Sequence, residues 1–237
     1  MFEIYQVADP FTPIHYTKIN KLVLGTNAAK GVTVSEEQGS IICENFMMYA
    51  LSFAYLKATE GDKLIDGSYK ENRMRMRKNS SVFNGAYHVF DSETSGKDQA
   101  EFFLKVLGNL KDGELIPAVD ITNIGDGIKD KDEFVKELKA FCDVIENKFD
   151  MKPVIHTDIS MDKQYLKGNF DKYPKWITCK KWPVYFYSLD GWILWEYSEN
   201  GQIDGDEGSI KVDLSVVNWR KGIGDLIYIR RDDTAPK

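Results

Sequence analysis

The chain has 237 residues, of which 43% are hydrophobic and 29% charged, with a formal net charge of −6. That length suits one large domain, because single α/β barrels run to about 200–250 residues. The acidic balance excludes nonspecific nucleic-acid or acidic-lipid partners, which reward surplus Lys and Arg, and no apolar run approaches the roughly 18 residues of a membrane span.

Residues 1–30 mix aromatics and prolines without clear periodicity and read as an N-terminal extension. The opening MFEIYQVADPFTP has an acidic residue and a Pro where a secretion signal needs a basic start and an apolar run. Short apolar runs then alternate with amphipathic segments. Phe53-Ala54-Tyr55-Leu56 reads as a buried strand, and the stretch from Tyr69 to Lys78 as a charged helix. Its basic cluster, Arg73, Arg75, Arg77 and Lys78, is expected on a solvated helix face. Val82 to Val89 reads as the next strand. Residues 97–110 place Ala100, Phe103, Leu104 and Leu107 on one face, the spacing of a helix packed on a sheet. Leu115 to Ile121 is another apolar run, with Pro117 near its start. Residues 131–149 repeat the helical pattern through Phe134, Leu138, Phe141 and Ile145, and Pro153 to Thr157 is a short strand.

From about Trp176 the helical periodicity stops, and strand-like runs follow at Val184 to Tyr187, Trp192 to Tyr197 and Ile210 to Val216. Strand–helix units followed by bare strands predict an α/β fold with a parallel sheet and right-handed crossovers, closing with few covering helices. That pattern is an incomplete barrel. Its domain is placed at residues 31–220, between the extension 1–30 and a C-terminal tail 221–237.

In a parallel barrel, polar groups at the C-terminal strand ends face the active site. The run Leu115–Val119 passes into Asp120-Ile121-Thr122, and alternation sets Asp120 and Thr122 on one face. An acid at the end of an apolar strand is costly to desolvate unless it is used. Lys211-Val212-Asp213-Leu214 repeats the arrangement, and Lys57-Ala58-Thr59-Glu60-Gly61 ends an earlier strand with a carboxylate and a Gly turn. Trp192, Trp195 and Tyr197 sit along one strand, where aromatic faces suit the apolar faces of sugar rings. Cys43, Cys142 and Cys179 match neither a disulfide framework nor a zinc site and are expected as buried free thiols. No metal, cofactor or phosphate-cradling glycine motif is implied.

Several of these segments resemble glycoside hydrolase family 25, the muramidase lysozymes. Gly31-Val32-Thr33-Val34-Ser35 with Gln38-Gly39 is similar to the family's opening strand. Ala58-Thr59-Glu60-Gly61 resembles its second strand, and Gly85-Ala86-Tyr87-His88 its third. Val119-Asp120-Ile121-Thr122 falls at the fourth, and Lys152-Pro153-Val154-Ile155-His156-Thr157 at the fifth. Trp195-Glu196-Tyr197-Ser198 and Val212-Asp213-Leu214 complete the series in order, so the resemblance covers roughly residues 31 to 218.

The resemblance implies an irregular TIM-like barrel of about five βα units followed by three strands, an enzyme fold that cleaves the β-1,4 bond between N-acetylmuramic acid and N-acetylglucosamine in peptidoglycan. It implies an acidic groove in which a Glu protonates the leaving group and Asp residues support the developing charge. Asp120 and Asp213 are the catalytic candidates; Glu60, Tyr87, His156, Trp195 and Tyr197 are the substrate-binding ones. His156 stands where the family commonly has Tyr. The proton-donating Glu belongs at Thr122, and an opening-strand Asp at Thr33. A Thr hydroxyl is too weak an acid for that task, and loss of a positioned general acid typically costs about 10²–10⁴ in rate.

The leading expectation is therefore a degenerate, inactive or weak lysozyme that binds peptidoglycan, a related glycan or a protein partner through its groove. One alternative is a working muramidase with relocated catalytic groups, Glu60, Glu196 and His156 being candidates, although alternation between Trp195 and Tyr197 is expected to turn Glu196 away from the groove. The other is a scaffold component of a phage or secretion assembly, docked through residues 1–30. The family role would direct the chain to a cell wall or a virion, with no nucleic acid or membrane as partner.

Overall fold

The computed structural model describes residues 29–230, apart from 79–81, 125–126, 181–190, 207 and 219. Its strands are β1 (Lys30–Val34), β2 (Leu51–Glu60), β3 (Leu64–Ile65), β4 (Phe83–Val89), β5 (Ala118–Asp120), β6 (Val154–Asp158), β7 (Lys175–Thr178), β8 (Leu194–Gly205) and β9 (Gly208–Val217). Three helices, α1 (Tyr69–Lys78), α2 (Gly96–Leu107) and α3 (Lys131–Phe149), follow β2/β3, β4 and β5. A 3-10 turn (Cys43–Met47) follows β1, and a helical turn (Ile159–Met161) running into a π turn (Asp162–Leu166) follows β6.

All strands from β1 through β8 except β3 pair in parallel, and β9 is antiparallel to both β8 and β1, closing the ring. The result is an eight-stranded barrel with β3 appended to β2 as a short antiparallel hairpin. Five strand–helix or strand–turn units come first and three bare strands last, the order expected from the sequence. Among the described residues no helix is long and apolar enough to cross a membrane.

Strand alternation divides the apolar residues into two layers. Outward-facing Val32, Ala54, Leu56, Ala86, Val119, Ile121, Ile155 and Ile177 join the core under the helices. Inward-facing Phe53, Tyr55, Tyr87, Ala118, Val154, Trp176, Leu194 and Val217 fill the barrel. Three rings, Phe53, Tyr55 and Trp176, form its plug, with Tyr55 and Trp176 centroids 5.0 Å apart. Their buried polar atoms are satisfied: the Tyr55 hydroxyl donates to the Ile116 carbonyl (3.0 Å) and the Trp176 indole N–H to Ser215 Oγ (3.0 Å). Gly31 and Gly85 make room for the rings. A Cβ on Gly31 would lie 2.3 Å from the Phe53 ring, and one on Gly85 2.5 Å from the Tyr55 ring.

Four expectations need correction. The basic cluster of α1 is only in part a solvated face: Arg77 and Lys78 are exposed, but Arg73 is buried, it and Arg77 both bind the buried Glu114, and Arg75 binds Asp206 and Glu71. The run Leu115–Ile121 is a strand only over Ala118–Asp120, because Leu115 and Ile116 pair with Ile227 and Leu226 instead. The domain boundary at 220 falls too early, since Leu226 is buried in the barrel's lower plug and Tyr228 N–H donates to the Glu114 carbonyl (2.7 Å). Lys175–Thr178, a strand too short and too polar at its start to stand out, is the first of the three final strands. The run Val184 to Tyr187 lies outside the described residues. Cys43, Cys142 and Cys179 are buried free thiols, as expected.

Candidate functional site

The plug of Phe53, Tyr55 and Trp176 forms a floor, and beyond it toward the C-terminal strand ends the inward face turns polar. At this C-terminal end Thr33, Tyr87, Asp120, His156, Thr178, Glu196 and Asp213 project inward from seven strands. The parity of each strand decides this, counted from the inward apolar residue two places earlier: Ala118 for Asp120, Val154 for His156, Trp176 for Thr178, Leu194 for Glu196.

Asp120 is held on both oxygens. Its Oδ1 accepts the Thr122 amide (2.8 Å) and the Thr122 hydroxyl (2.7 Å), and its Oδ2 lies 3.4 Å from His156 Nδ1. Burial would raise its pKa, but His156 and the two Thr122 bonds outweigh burial and keep the carboxylate below its ordinary range. His156 stacks on Trp176, with ring centroids 4.1 Å apart and planes 20° from parallel. Its other nitrogen, Nε2, lies 2.8 Å from Thr178 Oγ1 and 3.3 Å from Glu196 Oε2. Burial would lower the imidazole's pKa, yet Asp120 and Glu196 overcome that and push it up to about 10.

Thr178 Oγ1 donates to Glu196 Oε1 (3.3 Å), and Lys180 Nζ stands 4.0 Å from that oxygen while paired with Glu199. On the far side, the Thr33 hydroxyl donates a long bond (3.4 Å) to Asp213 Oδ2 across the β1–β9 pairing. Burial and then the charge of Glu196 raise the Asp213 carboxyl to about 6, with Lys180 and His156 pulling the other way. Tyr87 is buried beneath the acids; burial, then Asp120, Asp66, Asp213 and Glu196, hold its phenol far above the ordinary value, so it stays protonated.

The structure thus brings Thr33, Tyr87, Asp120, Thr122, His156 and Asp213 together. Glu60 stands at the rim, half-exposed and paired with Lys57 (2.7 Å). Trp195 and Tyr197 are not at the mouth. Both are buried in the outer layer, where Trp195 packs against Trp192 and Tyr197 and donates its indole N–H to the Cys179 carbonyl (2.9 Å). The same parity corrects the expectation for Glu196: with Trp195 outward, Glu196 points into the barrel mouth, and Tyr197, two residues after Trp195, returns to the outer layer. Thr178 was not foreseen, because it belongs to the short strand that the sequence pattern does not reveal.

Among the described residues no group of three His, Cys, Asp or Glu side chains is arranged to hold a metal ion. A cavity of about 430 Å³ opens at the opposite end of the barrel, lined by Lys152, Tyr173, Pro174 and Ile193. It is remote from the acids, and its Lys152 is already paired with Glu146, so the mouth is the stronger site.

A closed barrel with carboxylates gathered at the C-terminal strand ends defines a TIM-like fold with an acidic mouth. The chain belongs to glycosyl hydrolase family 25, whose family model matches residues 32–206. It is 31% identical over 174 residues to the uncharacterized protein YegX of Escherichia coli O6:H1, an alignment covering 71% of this chain and 60% of that relative. The chain therefore spans about 60% of the length of that relative. It is 27% identical over 199 residues to lysozyme M1 of Streptomyces globisporus, covering 78% of this chain and 67% of the other. A family 25 glycosyl hydrolase from Bacillus anthracis has a similar structure, with a TM-score of 0.70 and 28% identity over 80% of this chain and 88% of its own.

Proposed function

We propose that the groove binds the glycan backbone of peptidoglycan and hydrolyses it slowly or not at all. Family membership and the similarity to a named lysozyme support the substrate class. One observation carries the loss of rate: the Thr122 amide and hydroxyl both end on Asp120 Oδ1. The place where the motif resemblance puts a proton-donating Glu holds a hydroxyl whose hydrogen is already committed. Asp120 beside it is kept ionised and cannot donate in its stead. Glycoside cleavage with no acid to protonate the leaving oxygen loses a large factor in rate.

A second reading rests on Asp213. With its carboxyl raised to about 6, it is protonated in part in mildly acid solution, and it faces the same groove. A slow hydrolase using Asp213 as its acid would be more active near pH 5 than near pH 8.

The test is clearing of a peptidoglycan suspension by wild type and Thr122→Glu, at both pH values, beside retention on insoluble peptidoglycan. Retention without clearing by wild type, and clearing by Thr122→Glu, is the expected result. Rapid clearing by wild type refutes the slow-hydrolysis claim, and acid-favoured slow clearing supports the second reading. Neither retention nor clearing refutes both and favours a scaffold role.

A further inference from the structure

The proton count of the His156 cluster follows from its hydrogen bonds. Nε2 faces Thr178 Oγ1 at 2.8 Å and Glu196 Oε2 at 3.3 Å, and because a carboxylate oxygen can only accept, the contact with Glu196 places a hydrogen on Nε2. On the other side of the ring, Nδ1 faces Asp120 Oδ2 at 3.4 Å. Asp120 already accepts two bonds at Oδ1 and is an acceptor at Oδ2 as well, so Nδ1 carries a hydrogen too. An imidazole with hydrogens on both nitrogens is a cation. Trp176, stacked on its face, fixes the ring plane along the line joining the two acids.

We infer that His156 is a permanent imidazolium and a positioning residue: it pins Asp120 and Glu196 in place and leaves Asp213 as the groove carboxyl presented to the ligand. Asp120 is tied by Thr122 and His156, and Glu196 by Thr178 and His156. Among the described residues Asp213 accepts one hydrogen bond, the long one from Thr33. The charged groups facing Asp213 are Glu196 and Glu199 on β8, Lys180 after β7 and His156 on β6. Its free acceptor oxygen suits a sugar hydroxyl or an acetamido N–H. The ligand half of this inference rests on the glycan-binding reading; the charge half does not.

The experiment is nuclear magnetic resonance on the full chain, without glycan, for wild type and His156→Gln. With histidine nitrogens labelled, both His156 nitrogens are expected to remain protonated from pH 6 to pH 8.5, a window in which an ordinary histidine loses its proton. With aspartate carboxyls labelled, the Asp213 midpoint is expected to rise in His156→Gln by about half a pH unit or more, because a neighbouring positive charge is removed. A His156 nitrogen without hydrogen at pH 7, or an unmoved Asp213 midpoint, overturns the charge half. The first measurement needs only wild type, so poor folding of the variant cannot shield the claim. Asp213→Asn should reduce retention on insoluble peptidoglycan several-fold; undiminished retention overturns the ligand half. No retention by wild type overturns the ligand half together with the glycan-binding function, while the charge of His156 is still decided by the spectra.

Discussion

Replacing His156 with glutamine removes one proton site, and its effect on stability should depend on pH in a calculable way. In the folded chain His156 keeps its proton up to about pH 10, whereas an unfolded histidine loses it near pH 6.5. Between those values the folded state binds one proton more than the unfolded state. Stability contributed by this site is fully present below about pH 6.5 and is lost as pH rises toward 10, at about 1.4 kcal/mol per pH unit. From pH 7 to pH 9 the loss is roughly 2–3 kcal/mol, set by retention of the proton through most of that range. His156 is buried, so solvent screening takes little from this figure. The assay is urea unfolding of wild type and His156→Gln at pH 7, 8 and 9. Buried Cys43 and Tyr69, pushed up to about 12, also favour unfolding in alkali, but they do so in both proteins and cancel in the difference. Wild type should start more stable, and its lead should shrink by the calculated amount. A lead constant to within about 0.5 kcal/mol would refute the reasoning.

The other buried histidine predicts the opposite limb. His88, lowered to about 4 by burial in spite of its bond to Gln99, is neutral when folded, so its site loses stability as pH falls from 6.5 toward 4. His88→Gln should flatten acid unfolding over that range, and an acid limb parallel to wild type counts against the assignment. Gly85→Ala would drive a Cβ to 2.5 Å from the Tyr55 ring, whose hydroxyl bond to Ile116 prevents it from swinging away. The expected loss is about 1–3 kcal/mol, read as a lower melting temperature; an unchanged melt would show that the plug is slack. Glu114→Gln removes the buried carboxylate shared by Arg73 and Arg77, with an expected loss of about 3–5 kcal/mol in urea unfolding. A loss below about 1 kcal/mol would place the pair with ordinary surface bridges.

Periodicity made much of this fold legible before any coordinates. Residues 131–149 show a 3.6-residue apolar repeat, and α3 covers that span; the charged stretch from Tyr69 to Lys78 is α1 to the residue. These segments are amphipathic, and a helix packed on one side of a sheet leaves its period in the sequence. The strands were less legible where they are short. Lys175–Thr178 has four residues and begins on a buried Lys paired with Asp162, so its composition does not announce a strand. The α1 arginines misled because charge predicts solvent only when no buried partner exists. Glu114, 37 residues after Arg77, is that partner, and no local pattern links them.

The sequence by itself determined the order of elements, the acids at strand ends and the threonines at positions 33 and 122, because these depend on local period and residue identity. Only the tertiary structure decided which face of each strand is the inside of the barrel. Closure of β9 onto β1 sets that parity for the whole ring, and a shift of one residue exchanges every inward side chain for an outward one. It moved Trp195 and Tyr197 out of the groove and Glu196 into it. It also placed His156 between two carboxylates 36 and 40 residues away in the chain, where its charge follows from partners that the sequence cannot bring together.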